Sequence, residues 1–91
     1  MIEAAHITVH GRVQGVWFRA GTKEKAEELG LTGWVKNRPD GTVEIHAQGE
    51  KAQLENFLSW CHQGTPAAKV TSLDIDRSKA KQEFKSFDID L

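Results

Sequence analysis

The chain has 91 residues, which is enough for one compact domain and too few for two. Its 38% hydrophobic and 27% charged residues are the balance of a folded globular protein rather than of a disordered segment. A formal net charge of −1 lacks the basic excess that is usual in nucleic-acid binders, so we expect no nucleic-acid partner.

Cysteine content and the N-terminal sequence point to an internal compartment. Cys61 is the one cysteine, so no internal disulfide can form, which suits a reducing cytoplasm. The first ten residues, MIEAAHITVH, alternate in polarity and lack the apolar run of a signal peptide. No apolar run approaches the roughly 20 residues needed to cross a membrane. We therefore expect a cytoplasmic protein with no membrane partner. We also expect a monomer in which residues 1–91 form a single domain.

The first half of the chain predicts a strand, a glycine loop and a helix. Apolar and polar residues alternate over residues 5–9, which is typical of a half-buried strand. Residues 11–15 contain two glycines and predict a loop. Residues 18–29 then repeat apolar side chains at helical spacing, and Gly30 is typical of a helix end.

The middle of the chain predicts a hairpin followed by a second helix. Two alternating segments, residues 33–37 and 43–48, flank the Arg-Pro-Asp-Gly sequence of residues 38–41, which has the composition of a turn. Residues 50–62 carry one apolar helical stripe, which identifies Cys61 as a small core residue rather than a nucleophile. The stripe consists of Leu54, Phe57, Leu58 and Cys61.

Two further strands are predicted near the end of the chain. Residues 70–76 form a strand with Leu73 and Ile75 facing inward, whereas Val70 is out of phase with them and indicates a bulge or a later start. Phe87, Ile89 and Leu91 alternate as a short final strand.

The order of these elements predicts the fold class. Strand, helix, strand, strand, helix and strand, with a short extra edge strand, is the order of a ferredoxin-like α+β sandwich. We expect an antiparallel sheet with both helices on one face. The open face would carry His6, Thr8, His10, Glu44 and His46.

The loop between the first strand and the first helix is a candidate anion site. The first N–H groups of a helix lack partners and its dipole favours negative charge, and a tight glycine loop adds converging N–H groups. Arg19, in the first helical turn, can bind two phosphate oxygens at once. On glycine spacing alone, an ordinary turn followed by a surface arginine is the favoured interpretation, because short glycine motifs are common.

A second segment, Gly-Trp-Val-Lys-Asn at residues 33–37, changes that balance. Asn37 by itself is more often a turn residue than a catalytic one. However, residues 9–19, VHGRVQGVWFR, match the first signature of the acylphosphatase family without a departure. Residues 33–37 resemble the second signature, with Gly41, Val43 and Gly49 at their places. Two long motifs at this separation are highly specific, and the resemblance spans essentially the whole chain.

The resemblance implies the hydrolysis of acyl phosphates, the mixed anhydrides of a carboxyl group and phosphate, to a carboxylate and inorganic phosphate. It implies a small-molecule substrate, no metal, no cofactor and no covalent intermediate. Asn37 would position the attacking water, and a phosphate oxygen of the substrate would accept its proton. Arg19 would bind the phosphate together with backbone amides. Those amides belong to Gly15, Val16, Trp17, Phe18 and Arg19.

Three other interpretations are weaker. His6 and His10 lie roughly 13 Å apart along one strand, too far to ligate one ion through bonds of about 2 Å, so exposed sheet-face histidines are favoured over a metal site. An RNA-binding domain would need aromatic residues on the open face, where we expect none because Trp34 should pack against the core. A non-catalytic phosphate-binding domain is the harder alternative, but Arg19 and Asn37 together favour catalysis.

Overall fold

The computed structural model describes residues 2–80 and 84–90, which form two helices on one face of a five-stranded sheet. In chain order the elements are β1 (Ile2–Arg12), α1 (Phe18–Glu28), β2 (Thr32–Asn37), β3 (Val43–Glu50), α2 (Lys51–Gln63), β4 (Lys69–Lys79) and β5 (Phe87–Ile89). The strands lie in the order β4-β1-β3-β2-β5. All neighbours are antiparallel except β2 and β5, which are parallel. The predicted ferredoxin-like α+β fold is confirmed. Leu91, predicted for the last strand, lies outside the described residues.

The core lies between the sheet and the two helices. Alternate residues of the central strands β1 and β3 point into it, as the sequence alternation predicts. The apolar stripe predicted for α2 is buried along its length. Burial of large apolar side chains stabilises the fold by about 1.5–3 kcal/mol each. Residues fully enclosed here include Ile7, Val9, Phe18, Val43, Ile45, Leu54, Phe57 and Cys61.

Cys61 is a core residue, as predicted. Its side chain is buried in the apolar stripe of α2. Burial raises the pKa of the Cys61 thiol, because the thiolate would lose its hydration. A thiol in these surroundings is a poor nucleophile, which agrees with a structural role.

The strand β1 is longer than predicted and shortens the loop that follows it. Gly11 and Arg12 were expected in the loop, but they pair with Val70 and Lys69 of β4. The register between β1 and β4 shifts between His10 and Gly11, so the bulge predicted from the phase of Val70 is confirmed. Gly11 has a φ of 125°, and a Cβ atom there would clash with the carbonyl oxygen of Lys69.

Ile75 pairs with the buried Ile7 and so lies on the inward face of the sheet, as predicted, but it is not fully covered there. Its side chain is 39% exposed, while Leu73 packs partly against the core. The reason is the position of β4, which is the outermost strand and pairs only with β1. The alternation of a strand marks the face on which a residue lies, but it does not show whether that part of the face is covered.

Two of the histidines predicted for the open face, His6 and His10, are paired with carboxylates. The Nε2 atom of His6 lies 2.6 Å from Oε2 of Glu44, and the Nε2 atom of His10 lies 2.8 Å from Oδ2 of Asp74. Both pairs join neighbouring strands, so they tie β1 to β3 and β4.

Trp34 lies on this open face and not against the core as predicted. Its ring stacks on that of His46 with centroids 6.2 Å apart, and the Lys36 ammonium lies 5.2 Å from its centroid. Phe84 contacts His46 as well, with the two ring centroids 5.2 Å apart. Val35 points into the core, so its neighbour Trp34 must point the other way. The expectation of a face without aromatic residues is wrong, although its aromatic rings are engaged with one another and with Lys36.

The His6–Glu44 pair should make the free energy of unfolding depend on pH in the acid range. The hydrogen bond from His6 lowers the pKa of the Glu44 carboxyl below its usual 4.5, and this outweighs the opposing effect of partial burial. A carboxyl whose pKa is lowered by folding stabilises the fold above its unfolded pKa, and that stabilisation is lost as the pH falls through the folded value. We expect Glu44→Gln to lose less unfolding free energy than wild type between about pH 5 and pH 3, measured by urea denaturation.

The matched control is Asp74→Asn, which removes the carboxylate of the other histidine pair. The Asp74 side chain is 76% exposed, so this variant should keep the acid dependence of wild type. Equal slopes for wild type and Glu44→Gln would contradict the role of Glu44.

Candidate active site

The loop between β1 and α1 is anchored by apolar side chains that alternate with exposed residues. Val13, Val16 and Phe18 are buried in the core, whereas Gly15 and Trp17 are exposed. The buried side chains hold the backbone against the end of the core. Gly15, Trp17 and Arg19 of this segment border a cavity.

Two residues of this loop have a left-handed backbone. Gly15 has a φ of 71°, which glycine adopts without steric cost, and Trp17 has a φ of 63°. For a residue with a Cβ atom this conformation costs about 1–2 kcal/mol. Left-handed residues in a turn direct successive N–H groups to the same side, which forms an anion-binding concavity.

Hydrogen bonds hold the loop through its carbonyl groups. The carbonyl of Val16 accepts from Oγ1 of Thr65 at 3.0 Å, and the carbonyl of Trp17 accepts from the N–H of Gly21 at 2.9 Å. No turn or loop hydrogen bond within residues 2–80 and 84–90 is donated by a backbone N–H of residues 15–19. The loop is therefore fixed in place while its N–H groups remain available to an anion.

The start of α1 adds further donors. The helix begins at Phe18, and its N-cap residue Trp17 makes no side-chain capping bond. The first N–H groups of a helix have no acceptor within the helix, and the dipole favours negative charge beside them. Loop and helix start, together called the cradle, thus present N–H groups that no described turn or loop bond uses, which is the arrangement that the sequence predicts for an anion site.

Arg19 brings a permanent positive charge to this cradle. It is the second residue of α1 and lines a cavity of about 440 Å³. The ion pairs found in the described part of the chain do not include Arg19. Its guanidinium is thus free to bind an anion bidentately. The residues around the cavity are Val13, Gly15, Trp17, Phe18, Arg19, Ala20, Asn37 and Ile89.

Asn37 lines the same cavity from the end of β2, where the sequence places it. Its Oδ1 atom is buried and makes no hydrogen bond to any residue that the structure describes. A buried acceptor without a partner costs about 1–3 kcal/mol. An acceptor left without a protein partner at a cavity can accept a hydrogen bond from a bound group.

Gln14 connects the cradle to the turn that follows Asn37. Its Nε2 donates to the carbonyls of Arg38 and Thr42, both at 2.8 Å. Asp40 stabilises the same turn by accepting hydrogen bonds from Thr42, which lower the pKa of the Asp40 carboxyl. The sequence signals Gln14 only through its place in the first motif, because its partners lie 24 and 28 residues away.

The histidines lie apart from this cavity. His6 and His10 bind carboxylates on the open face, and Nε2 of His46 lies 3.0 Å from Oε1 of Gln48. No group of three or more His, Cys, Asp or Glu side chains in the described ranges is arranged to hold a metal ion. No described helix is long and apolar enough to span a membrane.

Fold and site together define a small α+β protein in which a glycine loop, a helix start, a guanidinium and a carboxamide border one cavity, and the Oδ1 of that carboxamide has no partner in the described chain. A model of the acylphosphatase family matches residues 5–89. The chain is 49% identical over 86 residues to the acylphosphatase of Methylococcus capsulatus, covering 94% of each chain. It matches the crystal structure of the acylphosphatase from Bacillus subtilis with a TM-score of 0.95 and 40% identity, covering all of both chains. The chain therefore belongs to the acylphosphatase family, as its motifs predict.

A similar domain also occurs within a larger protein. The crystal structure of HypF from T. kodakarensis matches 97% of this chain with a TM-score of 0.85 and 29% identity, but the match covers 12% of that chain. This domain is thus found both as nearly a whole protein, as in Methylococcus capsulatus, and as a small part of one.

The link between Gln14 and the turn can be tested by reversing its hydrogen-bonding character. In Gln14→Glu an acceptor-only carboxylate would face two carbonyl oxygens, so the cradle and Asn37 should lose their alignment. Because misplacement of reacting groups by about 1 Å can cost 100-fold, we expect kcat/KM for benzoyl phosphate to fall by about 10- to 100-fold.

Gln53→Glu on the exposed surface of α2 is the matched control, since it introduces the same charge away from the cavity. Thermal unfolding of both variants separates misalignment from a general loss of fold. Wild-type kcat/KM in Gln14→Glu would show that this link does not position the site.

Proposed function

We propose that this chain hydrolyses acyl phosphates to a carboxylate and inorganic phosphate, using Arg19 and the loop amides to hold the phosphoryl group and Asn37 to aim the water. The observation that carries the proposal is that Arg19, Asn37 and the loop residues named for their amides, apart from Val16, line one cavity in a member of the acylphosphatase family. The Arg19 guanidinium takes part in no ion pair of the described residues, and Asn37 Oδ1 has no described partner.

The phosphoryl group carries the negative charge that the cradle fits. In the proposed complex its oxygens accept hydrogen bonds from the Arg19 guanidinium and from backbone N–H groups of the loop. Such preorganised donors stabilise charge that develops in the transition state and need not reorient as it forms. The contributing N–H groups belong to Gly15, Val16, Trp17, Phe18 and Arg19.

The chemistry requires orientation more than acid or base strength. The leaving group is a carboxylate, so no strong general acid is needed to expel it. Phosphoryl transfer is promoted mainly by positioning the reactants in line and by neutralising the equatorial oxygens. The Arg19 guanidinium and the loop amides can both position the phosphoryl group and neutralise its oxygens.

Asn37 orients the nucleophile in this scheme. Its carboxamide offers an acceptor and a donor, so it can aim a water molecule without acting as a strong base. The water oxygen forms a bond to phosphorus while the bond from phosphorus to the acyl oxygen breaks, and that electron pair leaves with the carboxylate. One proton of the water moves to a phosphoryl oxygen of the substrate, so atoms and charge balance without a protein base.

One copy of the chain supplies every group that the scheme uses. We infer a monomer in which residues 1–91 act as a single catalytic domain, with no metal, cofactor or nucleic acid taking part. The buried thiol of Cys61 fits a reducing compartment, and we place the reaction in the cytoplasm.

Arg19→Ala tests the phosphate site. Loss of one preorganised donor costs about 100- to 1,000-fold, and Arg19 provides several charged donors, so we expect kcat/KM for benzoyl phosphate to fall by at least about 1,000-fold. The loss of benzoyl phosphate absorbance measures this directly. Arg19→Lys keeps the charge without the planar fork and should retain only part of the activity.

Arg77→Ala serves as the control, because Arg77 pairs with Glu3 on the sheet and does not line the cavity. An Arg19→Ala enzyme that kept most of its activity would overturn the assignment. A wild-type chain that binds phosphate but leaves benzoyl phosphate intact would identify a non-catalytic phosphate-binding domain instead.

The variant Asn37→Ala tests whether Asn37 orients the attacking water. We expect kcat to fall by about 100-fold or more while competitive inhibition by inorganic phosphate changes by less than about threefold, because the phosphate contacts are left in place. Steady-state kinetics with phosphate as the inhibitor measures both. Weaker phosphate inhibition at unchanged turnover would assign Asn37 to phosphate binding.

A further inference from the structure

Trp17 combines two unfavourable features that the fold does not require. Its side chain is 82% exposed, and its backbone is left-handed with a φ of 63°. Glycine or asparagine would adopt this conformation at lower cost. A large aromatic side chain that packs so little against its own domain contributes little to the core, but it does line the cavity of the candidate active site.

Ile89 is a second exposed apolar residue at the same cavity. It lies on β5 and is 37% exposed. Its position is fixed by pairing with Val35 of β2 and by the bond from the N–H of Asp90 to the carbonyl of Val35 at 2.8 Å. Val35 precedes Asn37 by two residues, so Ile89 lies at the end of the sheet where the carboxamide lines the cavity.

The cavity therefore has a polar and an apolar group of lining residues. Arg19, Asn37 and the amide of Gly15 are suited to a phosphoryl group, whereas the side chains of Trp17 and Ile89 add mainly apolar surface. An acyl group is joined to phosphorus through a single bridging oxygen, so it must occupy the same cavity as the phosphoryl group that it accompanies.

We infer that Trp17 and Ile89 form an acyl-binding platform that selects acyl phosphates with an aromatic or large apolar acyl group. This inference rests on the proposed function, because the phosphoryl group must first be held by Arg19 and the loop. The indole offers a flat face for offset or edge-on contact with an aryl ring, and Ile89 adds apolar area that the ring covers. A small acyl group such as acetyl covers much less of this surface.

The experiment compares kcat/KM for benzoyl phosphate with that for acetyl phosphate. Trp17→Asn removes the ring with a residue that tolerates the left-handed backbone, and Trp17→Phe keeps an aromatic face. We expect Trp17→Asn to lower the benzoyl-to-acetyl ratio of kcat/KM by about tenfold, and Trp17→Phe by less than about threefold. Ratios are compared between variants, so the different intrinsic reactivities of the two substrates cancel.

Ile89→Thr keeps the β-branched shape and should lower the ratio by about three- to fivefold. Its matched control is Ile75→Thr, which changes a similarly exposed isoleucine on β4 that does not line this cavity. This control should leave the ratio unchanged.

Inhibition by inorganic phosphate separates this inference from the proposed function. If Trp17→Asn slows both substrates equally and weakens phosphate inhibition, Trp17 shapes the cradle and the platform is overturned. An unchanged ratio with intact activity overturns the platform as well. Failure of the proposed function would appear elsewhere, as an Arg19→Ala enzyme that remains active and inhibited by phosphate.

Discussion

The structure depends on one constraint, which is that the β1–α1 loop must be held rigid without using its own N–H groups. Ordinary loops satisfy their amides within the protein or with water, because an unsatisfied buried amide is costly. Here the holding is done by side chains buried beneath the loop and by bonds to its carbonyls, such as that from Thr65 to Val16. Donors fixed in this way bind an anion without the entropic cost of ordering them first.

The same constraint explains the placement of the second motif. The β2–β3 hairpin ends beside the loop, and Gln14 donates to both ends of its turn, at Arg38 and Thr42. Asn37 immediately precedes that turn, so its carboxamide is aligned with the cradle through the backbone and not through a contact of its own side chain. The two motifs are far apart in sequence, but the Gln14 hydrogen bonds hold them next to each other in the fold.

Periodicity and motif were sufficient to predict much of this architecture. The element order gave the fold, and the phase of Val70 marked the bulge beside Gly11. The sequence did not predict which parts of the inward face the helices cover. Alternation assigns Ile75 to a face, but whether a helix lies over it depends on tertiary packing. Trp34 was expected against the core, but its neighbour Val35 points inward and so determines that Trp34 faces the other way. The role of Gln14 was beyond local reasoning, because its bonds span the loop and the hairpin.

The costs in this fold are concentrated where the chemistry is proposed. Asn37 holds a buried oxygen with no partner in the described chain, Trp17 exposes a large ring from a left-handed backbone, and Arg19 is left without a described carboxylate. Each would be simple to relieve by a smaller or apolar residue if stability alone were selected. The central strands and α2 form a continuous core that offsets these costs. Features of this kind gathered around one cavity are what a binding site requires, since groups satisfied by the protein are not available to a substrate.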